Sequence, residues 1–160
     1  MIQRIQSLYL LVVSALGVLG FFVPAFSWYL NQPHIIQLTS AGWIPDAVVD
    51  PSVSALPEIW ITPLLGCGIF VSLLPLVAIV LFKNRPLQIT FCRINVFVEI
   101  VLLGMIGMAF FQTSNFISPD ATMSFGFSAI FPVIAVILLV LAMRAIQKDE
   151  NLVRSVDRLR

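Results

Sequence analysis

Apolar residues run almost unbroken through four stretches of this chain, residues 8–26, 60–82, 94–111 and 125–143, and polar residues gather between them. Crossing about 30 Å of hydrocarbon takes roughly 20 mainly apolar residues in a helix, so each stretch predicts one membrane span. Before the first run, Ile2, Ile5, Leu8 and Tyr9 recur at helical spacing while Gln3, Arg4 and Gln6 face the other way, as in an interfacial first turn. Pro63 falls in the first turn of the second span, where its missing N–H costs little. Pro75, deep in that span, and Pro132, about two turns into the fourth, predict kinks. Ser14, Gly17 and Gly20 make a small-residue stripe that suits close approach of another helix, although glycine is also simply common in membrane helices. Gly104 and Gly107 in the third span read as packing positions.

Two segments break this pattern. Residues 27–59 hold Pro33, Pro45, Pro51 and Pro57, which limit any strand in residues 34–40 to a few positions, so a compact lid over the helix ends is expected. Trp28, Tyr29, Trp43 and Trp60 suit the lipid headgroup belt. Residues 144–160 instead predict an amphipathic helix, continuing from the fourth span or bent off it. Leu152, Val156 and Leu159 follow at spacings of four and three, among Arg154, Arg158 and Arg160. The expected organisation is a membrane domain over 1–143 and a tail helix over 144–160.

Charge orients these elements. All nine Lys and Arg residues precede the first run, flank the turn between the second and third, or follow the fourth. The other two connections carry Asp46, Asp50, Glu58 and Asp120 and no basic residue. Basic residues resist translocation, which predicts both termini on the cytoplasmic side. A basic inner face suits anionic lipid headgroups. The cations are split among three short segments without a recognition motif, so nucleic acid is not an expected partner. Residues 1–25 carry features of a signal peptide, but their apolar core exceeds the usual length of about 7–15 residues, so an uncleaved span is expected.

With 59% hydrophobic and 11% charged residues, the chain leaves no room for a separate soluble catalytic domain. It has no phosphate-binding glycine loop and no H-E-x-x-H or C-x-x-C motif. Its single histidine, His34, has no second His or Cys beside it in the lid. No enzyme activity, cofactor or metal is expected. Cys67 and Cys92 lie at different depths and read as packing residues. Glu99 is the one ionisable residue well inside a span. Cys92, Asn95 and Glu99 form a polar strip on one helix face. An intramembrane acid is either a proton or cation site or a hydrogen-bonded link between helices, here through Ser72 or Ser14. The structural role is the favoured expectation, because the spans offer little further polar lining.

The opening Met1-Ile2-Gln3-Arg4-Ile5-Gln6-Ser7-Leu8-Tyr9-Leu10 and the closing residues 144–160, which run from Arg144-Ala145-Ile146-Gln147-Lys148 to Arg158-Leu159-Arg160, resemble the ends of the domain of unknown function 4293 family of small bacterial inner-membrane proteins. The resemblance implies an all-α bundle of four transmembrane helices and brings no catalytic residues. It also marks the tail as more distinctive than solubility demands. The expected function is therefore a non-enzymatic accessory or scaffold subunit of a larger inner-membrane complex. It would dock on a protein partner of unknown identity through its spans and through Leu152, Arg154, Val156, Arg158, Leu159 and Arg160. The alternative is a small proton-linked transporter using Glu99, with Asn95 and Ser72 as its polar neighbours.

Overall fold

A computed structural model describes residues 2–29, 35–45, 61–82, 84–116 and 122–157. Its elements follow the hydropathy pattern, with one addition. Helix α1 spans Ile2–Leu19; strands β1 (Phe26–Tyr29), β2 (Ile35–Thr39) and β3 (Gly42–Pro45) follow; then come α2 (Ile61–Val80), α3 (Arg85–Phe116), β4 (Thr122–Phe125) and α4 (Phe131–Asp157). A 3-10 turn, Phe127–Ile130, leads into α4. Three stretches, Thr62–Val80, Arg85–Ser114 and Phe127–Leu152, are long and apolar enough to cross a membrane, and a shorter apolar helix covers Ile5–Leu19.

The helices form a ring in which α1 packs on α2, α2 on α3, α3 on α4 and α4 back on α1. Their buried positions alternate by four and three residues. On α3 the repeating set is Gln88, Cys92, Asn95, Glu99, Leu102, Ile106, Ala109 and Thr113, with Ile89 buried beside Gln88; on α4 and the turn before it the set is Ser128, Pro132, Ala135, Leu139, Ala142 and Ile146. That spacing is the heptad repeat by which helices of a bundle pack along a shared seam. Lipid is as apolar as leucine, so close contact rather than water exclusion holds such helices together. Small seam residues permit that contact. A Cβ on Gly17 would lie 2.7 Å from the Ser72 hydroxyl and 3.1 Å from its Cα, so Ser14 and Gly17 of the small-residue stripe pack against α2, while Gly20 lies past the helix end against Ser40. Gly104 and Gly107 are different: open space surrounds them, so they do not pack within the chain as the sequence pattern suggests.

The expected all-α fold is corrected by a four-stranded antiparallel sheet of order β3-β2-β1-β4. It joins both acidic connections, because β1 pairs with β2 and, on its other side, with β4 in the register Phe26↔Phe125. Alternation along the strands brings Phe26 and Trp28 opposite Leu38 and Ile36 on one face. Phe110 of α3 meets that face, its ring 4.6 Å from Phe26 and 5.8 Å from Trp28. Trp28 is thus buried in the core and is not a headgroup anchor. Gly42, with φ 114°, closes the β2–β3 hairpin in a conformation that side chains disfavour.

The sheet shifts two span boundaries. Residues 20–26 leave the helix, and Phe125 belongs to β4. Pro24, without an N–H, cannot continue α1, and a short apolar strand is indistinguishable by hydropathy from a helix end. Pro132 consequently lies in the first turn of α4, a position tolerant of proline, and is no interior kink site. The tail forms no separate element: α4 continues unbroken into it, reaching Asp157.

Candidate functional site

Two apolar clusters fill the bundle. One lies at the lid end, around Trp28, Ile36, Leu64, Val71 and Leu102; the other lies at the tail end, around Leu10, Ala78, Cys92, Leu139 and Ile146. Polar side chains concentrate between and beside them. The seam of α3 contributes Gln88, Asn95 and Glu99, buried to 3%, 1% and 2% exposure. Helix α3 begins nine residues before the predicted span, which places Glu99 about 21 Å from the helix start at 1.5 Å per residue. That is close to the middle of the helix.

Glu99 lines a small cavity where the lid meets the bundle. The other walls come from Leu16 and Gly17 of α1, Gly20 of the turn after it, Ser40 of the hairpin, Val71 of α2, Ser128 of the 3-10 turn, and Pro132 of α4 among others. Its volume is about 10 Å³, room for roughly one water. Backbone bonds hold these pieces in place. The Ser40 N–H donates to the Gly20 carbonyl at 2.9 Å, and the Gly126 N–H donates to the Ala25 carbonyl at 2.9 Å.

The Ser14 and Ser72 hydroxyls direct their protons elsewhere. Ser14 donates to the Ser72 carbonyl at 2.8 Å, and Ser72 donates to the Gly68 carbonyl at 2.8 Å. They link α1 to α2 and brace α2; neither proton goes to Glu99. Asn95 is one turn from Glu99 toward the tail end, and both its amide atoms are buried without a hydrogen-bond partner. The Gln6 amide nitrogen at the same end of α1 is in the same state. Each unpaired buried group of this kind costs about 1–3 kcal/mol unless water or an ion meets it.

The tail residues divide. Leu152 is 48% exposed on α4, while the side chains of Arg154 and Val156 and all of Arg158, Leu159 and Arg160 lie outside the described residues, as does His34. One contact carries no signal in the sequence: Arg85 at the start of α3 bonds Asp149 of α4, Nη2 to Oδ2 at 2.7 Å. Arg144, Gln147, Lys148, Asn151 and Leu152 line a shallow basic groove on the same stretch of helix. Among the described residues no cluster of three or more His, Cys, Asp or Glu could hold a metal ion.

Sequence periodicity places Asn95 and Glu99 on one face, and the four-three spacing extends that strip back to Gln88. Ser40 and Ser128 carry no comparable signal, since a lone serine beside a turn is ordinary.

A lidded ring of apolar helices with a polar layer midway along its seam defines a small helical-bundle protein of membrane type. The chain belongs to the family described as Domain of unknown function (DUF4293), whose model matches residues 2–159. No curated protein and no solved structure is significantly similar to it.

Proposed function

We propose that this protein is a four-span subunit of the bacterial cytoplasmic membrane that acts without catalysis, as an accessory or scaffold for a larger complex. The observation that carries this reading is the continuity of α4 into the tail. Because α4 continues without a break past the end of its apolar run, and Arg85–Asp149 fixes it to the start of α3, the groove from Arg144 to Leu152 is presented on a preformed helix. A preordered surface binds a partner at a smaller entropic cost than a flexible tail would. The cavity beside Glu99 supports the same reading, since its volume of about 10 Å³ holds nothing larger than roughly one water. Purification in mild detergent followed by mass spectrometry should recover a stoichiometric membrane partner from the full-length chain and lose it when the chain is cut after Met143. Recovery of the same partner with the truncated chain would refute docking through the tail.

The orientation has its own test. Pairing of β1 with β4 brings the two connections that lack basic residues to one end of the bundle, which supports a common outer side. In a background with Cys67 and Cys92 replaced by Ser, Ser52→Cys should react with an impermeant thiol reagent added from outside. Ser155→Cys should react only after the membrane is permeabilised. The opposite labelling pattern would reverse the orientation.

A further inference from the structure

The cavity beside Glu99 has an unusual donor inventory. Its lining residues carry one carboxylate and two serine hydroxyls, while the remaining lining side chains are apolar. No Lys, Arg or His is among them, so the cavity lining supplies no positive charge to a carboxylate that is 2% exposed. A bare carboxylate at this depth is costly, and a proton or a cation must neutralise it.

The end of α1 turns the same way. Its closing bonds run from the Gly20 N–H to the Leu16 carbonyl, from Phe21 to Val18, and from Phe22 and Val23 to Leu19. They pass over the carbonyl of Gly17, which is left without a backbone donor among the described residues, and Gly17 is part of the cavity wall. A helix C-terminus carries partial negative charge on such free carbonyls and favours a cation. Ser40 and Ser128, 6% and 3% exposed, add hydroxyl oxygens from the lid and from the turn before α4. The set is made of hard oxygen donors around a space the size of one water, which suits a small alkali cation.

We propose that Glu99, Ser40, Ser128 and the free carbonyl of Gly17 bind one sodium ion, and that a proton displaces it from the carboxylate. The site joins α1, α3, the hairpin and the turn before α4, so an ion held there ties the lid to the bundle. This inference does not depend on docking through the tail.

Thermal unfolding of the full-length protein in detergent provides the test, with sodium chloride exchanged for choline chloride at constant ionic strength. A ligand that binds only the folded state raises its melting temperature in proportion to the logarithm of its concentration once it exceeds the dissociation constant. Sodium should therefore stabilise the protein, and potassium should do so much less. In the range where the carboxyl is mainly protonated, each unit fall in pH should raise the sodium midpoint about tenfold, because one proton competes with one ion. Glu99→Gln should fold and lose the sodium response, and Ser128→Ala should raise the midpoint several-fold. A flat sodium titration of the unaltered protein would overturn the proposal, as would equal stabilisation by potassium or an undiminished response in Glu99→Gln. If Glu99→Gln does not fold, the titration of the unaltered protein and the Ser128→Ala midpoint decide the matter.

Discussion

Replacing Gly126 with alanine should keep the lid from closing on the bundle. A Cβ at this position would clash with the Pro24 carbonyl oxygen and lie 2.7 Å from its carbon, both backbone atoms that no rotamer change can move aside. Relief requires β4 to draw away from the chain entering β1. That movement breaks the Gly126 N–H to Ala25 carbonyl bond and loosens the Phe26↔Phe125 pair, whose ring centroids are 5.5 Å apart. Overpacking of this kind costs about 3 kcal/mol or more when the obstacle is rigid. For a chain of this size that loss lowers the melting temperature by roughly 10 °C, or prevents folding. Gly104→Ala is the matched control. With open space around Gly104 on a helix, alanine there should be neutral or add up to about 1 kcal/mol through helix propensity. Equal melting temperatures for the two variants would show that Gly126 does not lie against Pro24 in this way.

The second large effect is expected at the tail. Leu152 is exposed beside the basic groove, and Val156 follows it by four residues on the same helix. Burying one such side chain against a partner contributes roughly 1.5–3 kcal/mol. Each step of about 1.4 kcal/mol is a factor of ten in affinity, so Leu152→Ser combined with Val156→Ser should weaken the complex at least tens-fold. Arg154, Arg158 and Arg160 changed together to Gln should weaken it in a salt-sensitive manner, since exposed charges are screened over about 8 Å at physiological ionic strength. Co-purification yield and titration of the isolated partner measure both effects. If the tail only anchored α4 to lipid, all partners would survive both sets of substitutions, and the tail would show its effect on anionic vesicles instead.

Several features of the fold are legible in the chain's own pattern. The long apolar runs define the helices because a span announces itself through many consecutive residues, and the polar strip on α3 shows in its four-three spacing. The charged amphipathic pattern after Met143 likewise reveals a helix, which packing joins to α4. The misreadings have a common origin. Pro132 reads as an interior kink and Trp28 as an interfacial anchor, because hydropathy does not mark where a helix stops and a four-residue strand begins. Arg85 and Asp149 each look like ordinary surface charges until the ring of helices brings α3 and α4 side by side.

The amino-acid sequence by itself determined the family, the apolar helices, the segregation of basic residues and the presence of one acid within a long apolar run. These are local properties, carried by composition and period along continuous stretches. Tertiary structure alone decided that β1 and β4, distant along the chain, share a sheet. It also decided that Gly126 lies against Pro24, and that Glu99 shares a cavity with Ser40, Ser128 and Gly17 rather than bonding the hydroxyls of Ser14 and Ser72. Strand pairing and cavity lining depend on which distant residues meet, and a glycine or serine carries no mark of its partner until packing supplies one.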